Sequence, residues 1–199
     1  MSISERIQLD DKVLIEGCMA GKRSFETMLF DRYAPTMLVI CMRYSRNKDE
    51  AEDIAQEGFV KIFLKIKDYK FEGSFEGWMK KIMVNTALNY HRDNLKHFFH
   101  KDIDEIEDKL EVEEENYEEA ILSEKELLEI IQSLPEGYRA VFNLYVFEEY
   151  GHKEIAEMLG ITESTSKSQL FKARNYLKKK VNEYFKFENK NHLTNIIVK

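Results

Sequence analysis

Residues 152–180 read HKEIAEMLGITESTSKSQLFKARNYLKKK. Within this stretch, Gly160 suits the left-handed conformation that closes a helix, and Thr162 can cap the helix that follows. The apolar residues that recur at helical spacing before the glycine are Ile155, Ala156 and Leu159. The pattern therefore predicts two helices joined by a tight turn, which is the outline of a helix-turn-helix.

The second of these helices has one apolar face and one face suited to DNA. Between Thr162 and Lys180 it carries six basic residues and one acidic residue. Hydroxyl, amide and amine groups can reach base edges in a major groove, and flanking cations can reach phosphates. The alternative is an amphipathic helix with a solvated basic face. The predicted contacts to duplex DNA are Ser164, Thr165, Lys167, Ser168, Gln169, Lys172 and Arg174.

Composition limits the classes of protein that fit. A chain of 199 residues with 43% hydrophobic content, eight Gly and two Pro can bury one or two cores, and two small helical domains fit best. Cys18 and Cys41 lack metal-site spacing, which suits reduced thiols in a cytoplasm. No signal peptide and no run of about eighteen apolar residues is visible, so we expect no membrane insertion.

The net charge of −7 comes from one segment. Residues 102–129 hold 14 acidic and 2 basic side chains, a net −12, so the other 171 residues hold 28 basic and 23 acidic side chains, a net +5. Apolar residues in this segment are too sparse to form a core. We therefore predict an acidic flexible linker at residues 101–122 between two domains.

The N-terminal half shows helical spacing of apolar residues throughout, with Pro35 bending or restarting the second helix. A third helix, residues 49–67, is predicted to leave a polar and mostly acidic face outward. Taken alone, such a face is usually only solvated. This acidic face comprises Asp49, Glu50, Asp53, Gln56 and Glu57.

A loop with aromatic residues at 69–75 precedes a helix that is predicted to run from Ser74 to about Leu95. Each residue of an α-helix advances about 100° around the helix axis, so the amides and cations on that helix fall within about 80° of one another, on one side. Cations can follow a DNA backbone, and aromatic rings can receive unstacked bases, so this surface is suited to single-stranded DNA. The alternative places the aromatic residues in the core, and we assign Trp78 no contact of its own. The predicted contacts are Phe71, Lys81, Asn85, Asn89, Arg92 and Lys96.

Three segments in this order resemble one family. They are DEAEDIAQEGFVKIF (49–63), FEGSFEGWMKKIMVNTALNYHRD (71–93) and LPEGYRAVFNLYVFEEYGHKEIAEMLGITESTSKSQLFKARNYL (134–177). Together with the acidic linker, they resemble the bacterial extracytoplasmic-function (ECF) sigma factors. The resemblance covers about residues 10–181.

The resemblance implies partners and roles for these surfaces. It implies that the acidic face at Asp49–Phe59 docks on the clamp helices of RNA polymerase core, with the flap as a second contact on core. It implies that Tyr69–Lys96 melts the −10 element and holds a flipped base, and that the helix from Glu163 reads the −35 element of promoter DNA. An anti-sigma factor is a further implied partner. The chain departs from the family pattern at three places. Ser166 stands where Val or Ile is frequent, and Gln169 stands where arginine is common. Glu72, Gly73 and Glu76 leave the promoter-facing loop less basic than in many relatives.

We therefore predict an all-α protein without catalysis, metal or cofactor, located in the cytoplasm. The predicted domains are residues 1–100 (sigma region 2-like), the linker at 101–122, residues 123–187 (sigma region 4-like) and a tail at 188–199. The alternative function is a stand-alone helix-turn-helix regulator with an N-terminal sensor or dimerisation domain. An enzyme is disfavoured, because neither His97 and His100 with Asp102 nor Asp53 with Glu57 has a closing set of metal ligands.

Overall fold

The computed structural model describes residues 10–101 and 122–197, with side chains described for residues 10–99 and 122–185. Across these ranges the regular structure is entirely helical, as predicted. Backbone contacts divide the chain into two compact units, with the division between Tyr90 and His91. In the described part of the chain, no helix is both long enough and apolar enough to cross a membrane.

The N-terminal unit is a bundle of four α-helices. The helix α2 packs against the other three, and a short 3₁₀ helix at Ile66–Asp68 follows α3. The core side chains include Leu14, Leu29, Met37, Ile54, Ile62, Met79 and Met83. The helices are α1 (Asp11–Met19), α2 (Arg23–Tyr44), α3 (Lys48–Lys65) and α4 (Phe75–Tyr90).

Two features of this bundle concern the helices α2 and α3. The helix α2 runs through Pro35 without a restart. The helix α3 begins after Asn47, whose Oδ1 accepts a hydrogen bond of 2.9 Å from the backbone N–H of Glu50. This cap fixes where α3 begins and therefore which of its residues face outward.

The C-terminal unit contains the predicted helix-turn-helix. The helix α6 begins with a capping box in which Ser123 and Glu126 each satisfy the other's backbone N–H. Leu134, Tyr138 and Ala173 form a buried cluster to which α7 and α9 contribute. The helices are α5 (Arg92–Lys101), α6 (Glu124–Gln132), α7 (Glu136–Val146), α8 (His152–Leu159) and α9 (Glu163–Ile197).

The predicted continuous helix from Ser74 to about Leu95 is wrong. The helix α4 ends at Tyr90, and after the single residue His91 the chain enters α5, which belongs to the C-terminal unit. No Gly or Pro occurs between residues 78 and 134, so no helix breaker accounts for this interruption. The predicted acidic linker lies almost wholly outside the described residues.

Candidate functional site

The corner between α8 and α9 has the predicted geometry. Gly160 adopts φ 67° and ψ 37°, the left-handed conformation that a residue without Cβ adopts at little cost. The N–H of Ile161 donates to the carbonyl of Ala156 at 3.0 Å, and the N–H of Thr165 donates to the Thr162 Oγ1 at 3.0 Å. These bonds close α8, cap α9 and fix the angle at which α9 leaves the unit.

The outer face of α9 is polar, with one aromatic side chain at its centre. Lys167 forms an ion pair of 2.7 Å with Glu163, and the Ser168 hydroxyl donates to the carbonyl of Thr165 at 2.9 Å. The Arg174 guanidinium lies 5.7 Å from the centre of the Tyr145 ring. The exposed residues on this outer face are Ser164, Lys167, Ser168, Phe171 and Arg174. The term outer face of α9 refers below to these five residues.

The prediction that Gln169 reads DNA is wrong. Its side chain is only 2% exposed and lies on the packed side of α9 with Ser166, Leu170 and Ala173. A side chain enclosed in this way cannot reach a base edge while the unit stays folded. Thr165 and Lys172 are half-buried at the margin between the two faces, and the Thr165 hydroxyl lies 2.8 Å from the Thr162 Oγ1.

Phe171 was missed by the sequence prediction. An aromatic residue in an amphipathic helix is normally assigned to the core, whereas this ring is 65% exposed. Apolar side chains on a recognition helix can contact the methyl group of thymine. The signal available in the sequence was the angular position of Phe171, between Lys167 and Ser168 on the helical wheel.

The predicted single-stranded DNA surface is divided between the two units. Lys81, Asn85 and Asn89 are exposed along α4 as predicted. Arg92 and Lys96 are exposed on α5, which is part of the C-terminal unit. The structure therefore does not place all five on one helix.

The loop before α4 holds a cluster of aromatic rings. Phe71 has φ 59° and is 44% exposed, with its ring centre 5.2 Å from that of Tyr69. The Tyr69 hydroxyl donates to the carbonyl of Gly73 at 2.9 Å, which ties the loop together. Trp78 is half-buried and stacks on Phe75 at 5.5 Å between ring centres. Phe71 is thus the ring presented outward, with the others behind it.

The acidic face of α3 is present, but Glu50 does not belong to it. The Glu50 carboxylate is 8% exposed, accepting the backbone N–H of Arg46 at 2.6 Å and its guanidinium at 3.1 Å. Glu57 pairs with Lys61 at 2.6 Å. The four exposed members are Asp49, Asp53, Gln56 and Glu57.

Apolar surface adjoins this acidic face on two sides. Along α3, the same stripe continues through the exposed Val60 and the 75% exposed Leu64. Beside it, α2 and α3 enclose a groove of about 520 Å³. Its lining includes Phe30, Pro35, Leu38, Glu52, Gln56 and Phe59. An apolar groove with acidic side chains at its margin suits a partner with apolar and basic groups.

Among residues 10–101 and 122–197, no three His, Cys, Asp or Glu side chains gather where a metal ion could be held.

Comparison with known proteins identifies the family. The sigma-70 region 2 model matches residues 29–96, and the sigma-70 region 4 model matches residues 124–177. The ECF RNA polymerase sigma-E factor of Escherichia coli (strain K12) is 32% identical over 189 residues, covering 87% of this chain and 95% of that protein. The chain belongs to the ECF RNA polymerase sigma factors.

Two further similarities complete the comparison. The ECF RNA polymerase sigma-E factor of Haemophilus influenzae is 29% identical over 190 residues, covering 87% of this sigma factor and 96% of its relative. The sigma factor RpoE in its co-crystal structure with the anti-sigma factor NepR from Bartonella quintana aligns with a TM-score of 0.48 and 19% identity, covering 78% of this chain and 96% of that chain. As a sigma factor, the chain acts in transcription initiation and has no catalytic activity of its own.

Proposed function

We propose that this sigma factor directs RNA polymerase core to promoters through three separate surfaces. The outer face of α9 reads the −35 element, the α4 surface with Phe71 holds a strand of the −10 element, and the acidic face of α3 docks on core. The observation that carries the proposal is the geometry of the α8–α9 corner, which presents an outer face of hydroxyls, cations and one aromatic ring.

Reading of duplex DNA is assigned to α9 because its outer face combines the two kinds of group that a major-groove reader needs. Lys167 and Arg174 supply charge for phosphates, and Ser168 supplies a hydroxyl that can bond to a base edge. Phe171, at the centre of the face, supplies an apolar surface for a thymine methyl. The capped N-terminal end of α9 is the end that enters the groove.

Strand capture is assigned to the loop and α4 because the exposed cation Lys81 and the exposed amides Asn85 and Asn89 lie along one helix, and the loop before that helix carries the outward Phe71 ring. Unstacking a base costs on the order of a few kcal/mol, which ring and phosphate contacts formed only with the open strand can offset. Binding energy for the melted state therefore drives opening.

Docking on core is assigned to the four exposed polar residues of α3 and the apolar surface beside them. Fixed negative charge beside an apolar groove favours a partner helix that presents basic residues around an apolar one. We infer from this that the clamp helices of core occupy this surface. The flap of core is the second contact that we expect for the C-terminal unit, and an anti-sigma factor is the partner that we expect to compete with core. We place the protein in the cytoplasm with the polymerase.

Reconstitution tests the function as a whole. Purified chain mixed with RNA polymerase core should initiate transcripts on genomic DNA at a limited set of promoters, identified by sequencing the 5′ ends. Core alone provides the background. A protein that only modulates initiation by an existing holoenzyme would support the stand-alone regulator, which family membership over both units disfavours.

Charge reversal tests the docking surface. Asp53→Arg combined with Glu57→Arg should abolish co-purification with core while leaving the helical content unchanged. Glu16→Arg combined with Asp68→Arg changes the net charge equally at exposed acids outside the α3 face and should leave association normal. Normal association of the α3 variant would refute the assignment.

Phe171→Ala tests the reading face. Because the ring is exposed, the variant should fold normally and lose about 1 to 3 kcal/mol of binding where the −35 element presents a thymine methyl to it. Footprinting of holoenzyme on promoters with single-base changes measures this. Unchanged preference at every position of the −35 element would exclude Phe171 from readout.

A further inference from the structure

Two stacked aromatic rings lie beside the outer face of α9. The Tyr145 ring of α7 and the His152 ring of α8 make an interplanar angle of 24°, with 4.7 Å between ring centres. The His152 Nδ1 lies 2.9 Å from the hydroxyl oxygen of Ser166, which is fully buried on the packed side of α9. The ring pair is therefore anchored to the interior of the C-terminal unit through His152.

Arg174 is the outer-face residue that contacts this ring pair. Its guanidinium carbon lies 5.7 Å from the centre of the Tyr145 ring, within the distance at which a cation is attracted to the face of an aromatic ring. A planar guanidinium suits such a contact, because it can stack on the ring. The contact limits the rotamers of the long Arg174 side chain, although the residue remains exposed to solvent.

The two cations of the outer face are restrained in different ways. The Lys167 ammonium lies 2.7 Å from the Glu163 carboxylate, so a negative charge offsets its own. Tyr145 restrains Arg174 without offsetting its charge, since the aromatic ring attracts the cation through its quadrupole and carries no net charge. Arg174 therefore keeps its charge for an anion outside the protein, in a geometry that is set before the anion arrives.

The position of Arg174 along α9 indicates which anion this is. The residues that reach base edges lie near the start of a recognition helix. Arg174 comes eleven residues after Glu163, the first residue of α9, which places it about 16 Å farther along the helix axis. A cation at that distance is suited to a phosphate of the backbone that borders the groove, a contact that carries no sequence information.

We propose that Tyr145 is a positioning residue for promoter binding: stacked on His152, it holds the Arg174 guanidinium where it contacts a backbone phosphate beside the −35 element. This proposal rests on the −35 role proposed above for the outer face of α9. Ordering a flexible side chain costs free energy on binding, and a side chain that is already held avoids part of that cost. Arg174 therefore adds affinity for promoters of any −35 sequence, and Tyr145 determines how much it adds.

A double-mutant cycle on the holoenzyme tests the role of Tyr145. Tyr145→Leu removes the ring and keeps an apolar side chain, so affinity for a duplex promoter found by reconstitution should fall about two- to fivefold, as expected for an exposed cation–π contact. Tyr145→Phe keeps the ring and is the matched control, which should bind as the unaltered chain does. In the Arg174→Ala background, Tyr145→Leu should cause no further loss, because the group that it positions is absent.

Salt dependence tests whether the positioned group contacts a phosphate. Arg174→Ala should lower the steepness of log K against log salt by about one and should weaken binding equally at promoters with different −35 sequences. Arg23→Ala removes one positive charge from an exposed position outside the three proposed surfaces and should leave the steepness unchanged. A loss confined to particular −35 sequences would overturn the phosphate contact.

The cycle can also overturn the positioning role. Unchanged affinity in Tyr145→Leu, an equal loss in Tyr145→Phe, or a loss that adds fully to that of Arg174→Ala would each do so. If Tyr145→Leu does not fold, NMR relaxation of the unaltered chain decides the question. The Nε–Hε group of Arg174, assigned by comparison with Arg174→Lys, should be more ordered than that of the exposed Arg23, and equal mobility would overturn the proposal.

Failure of this proposal and failure of the proposed function are distinguishable. If the outer face of α9 does not contact DNA, Arg174→Ala itself leaves promoter affinity unchanged. If only the positioning role is wrong, Arg174→Ala weakens binding and lowers the salt dependence, whereas Tyr145→Leu in the otherwise unaltered chain has no effect that depends on Arg174.

Discussion

Ser166 and His152 are joined by a hydrogen bond of 2.9 Å between the serine Oγ and the imidazole Nδ1, which ties the start of α8 to the inner side of α9. The imidazole also stacks on Tyr145, with 4.7 Å between ring centres. The family resemblance marks Ser166 as a departure, because an aliphatic residue is frequent there. In this chain the position forms a polar bridge to His152 instead.

The bridge predicts a pH dependence. Partial burial and the nearby Lys167 lower the pKa of His152 below its usual 6.5, and Arg174 acts in the same direction while Glu163 opposes it. The unfolded chain then binds more protons than the native one as pH falls through about 6.5, so this contribution to stability is present above that pH and lost below it. Thermal unfolding of the full chain from pH 8 to 5.5 should show the loss, and His152→Gln should remove this component of it. If the melting temperature depends on pH in the same way in both proteins, His152 is not the source of this pH dependence.

Gln169→Ala should reduce stability rather than change promoter choice. Truncating a buried amide removes packing and leaves polar neighbours without its contacts, which costs on the order of 1 to 3 kcal/mol. Urea denaturation of the full chain measures this, and transcript mapping measures promoter choice. Ser168→Ala, on the outer face, is the comparison and should show the reverse pattern. A shift in preferred −35 sequence for Gln169→Ala at unchanged stability would restore its role as a reader.

Glu50→Ala should destabilise the N-terminal unit, because the Glu50 carboxylate satisfies the backbone N–H of Arg46 and closes the start of α3. Loss of a capping interaction of this kind costs about 0.5 to 2 kcal/mol. Asp49→Ala, one residue earlier and exposed, should cost less. Equal denaturation midpoints for the two variants would show that the Glu50 contact contributes nothing.

Gly17→Ala and Gly77→Ala should act in opposite directions although both lie in helices. A methyl group at Gly17 would overlap the Phe25 ring, and such overpacking typically costs about 1 to 3 kcal/mol. Replacing Gly by Ala in a helix gains about 1 kcal/mol in helix propensity, so the overlap should outweigh the gain and stability should fall. At Gly77 it would meet the Ser74 Cβ at 3.6 Å, an ordinary contact, so stability should rise by up to about 1 kcal/mol. Differential scanning calorimetry of the two variants checks both signs.

The sequence predicted the elements that depend on local chemistry. Gly160 and Thr162 act at helix ends, where backbone conformation and one side-chain bond decide the outcome within a few residues. The outward positions of Asp53 and Lys81 also followed from helical periodicity.

The predictions that were wrong concern residues whose positions depend on tertiary contacts. On the helical wheel, Gln169 lies about 40° from Thr165, so periodicity alone placed it with the readers, whereas packing of α9 in the unit encloses it. The break at His91 falls where the chain passes from one compact unit to the other, and α5 then packs on α7 through Phe98 and Tyr138, a contact between segments more than thirty residues apart. Glu50 is withdrawn from the acidic face by a hydrogen bond to backbone that its charge did not reveal.

Because α9 is both the proposed reader of the −35 element and a core element, its residues differ in how freely they can change over evolutionary time. A descendant of this gene that acquires a new set of target promoters can alter the outer positions one by one, whereas Ser166, Gln169 and Ala173 can change only together with their neighbours in the core. We expect diverging duplicates of this chain to differ first at Lys167, Ser168 and Phe171. We therefore expect inherited substitutions on the outer side of α9 to change promoter choice and those on its inner side to unfold the protein.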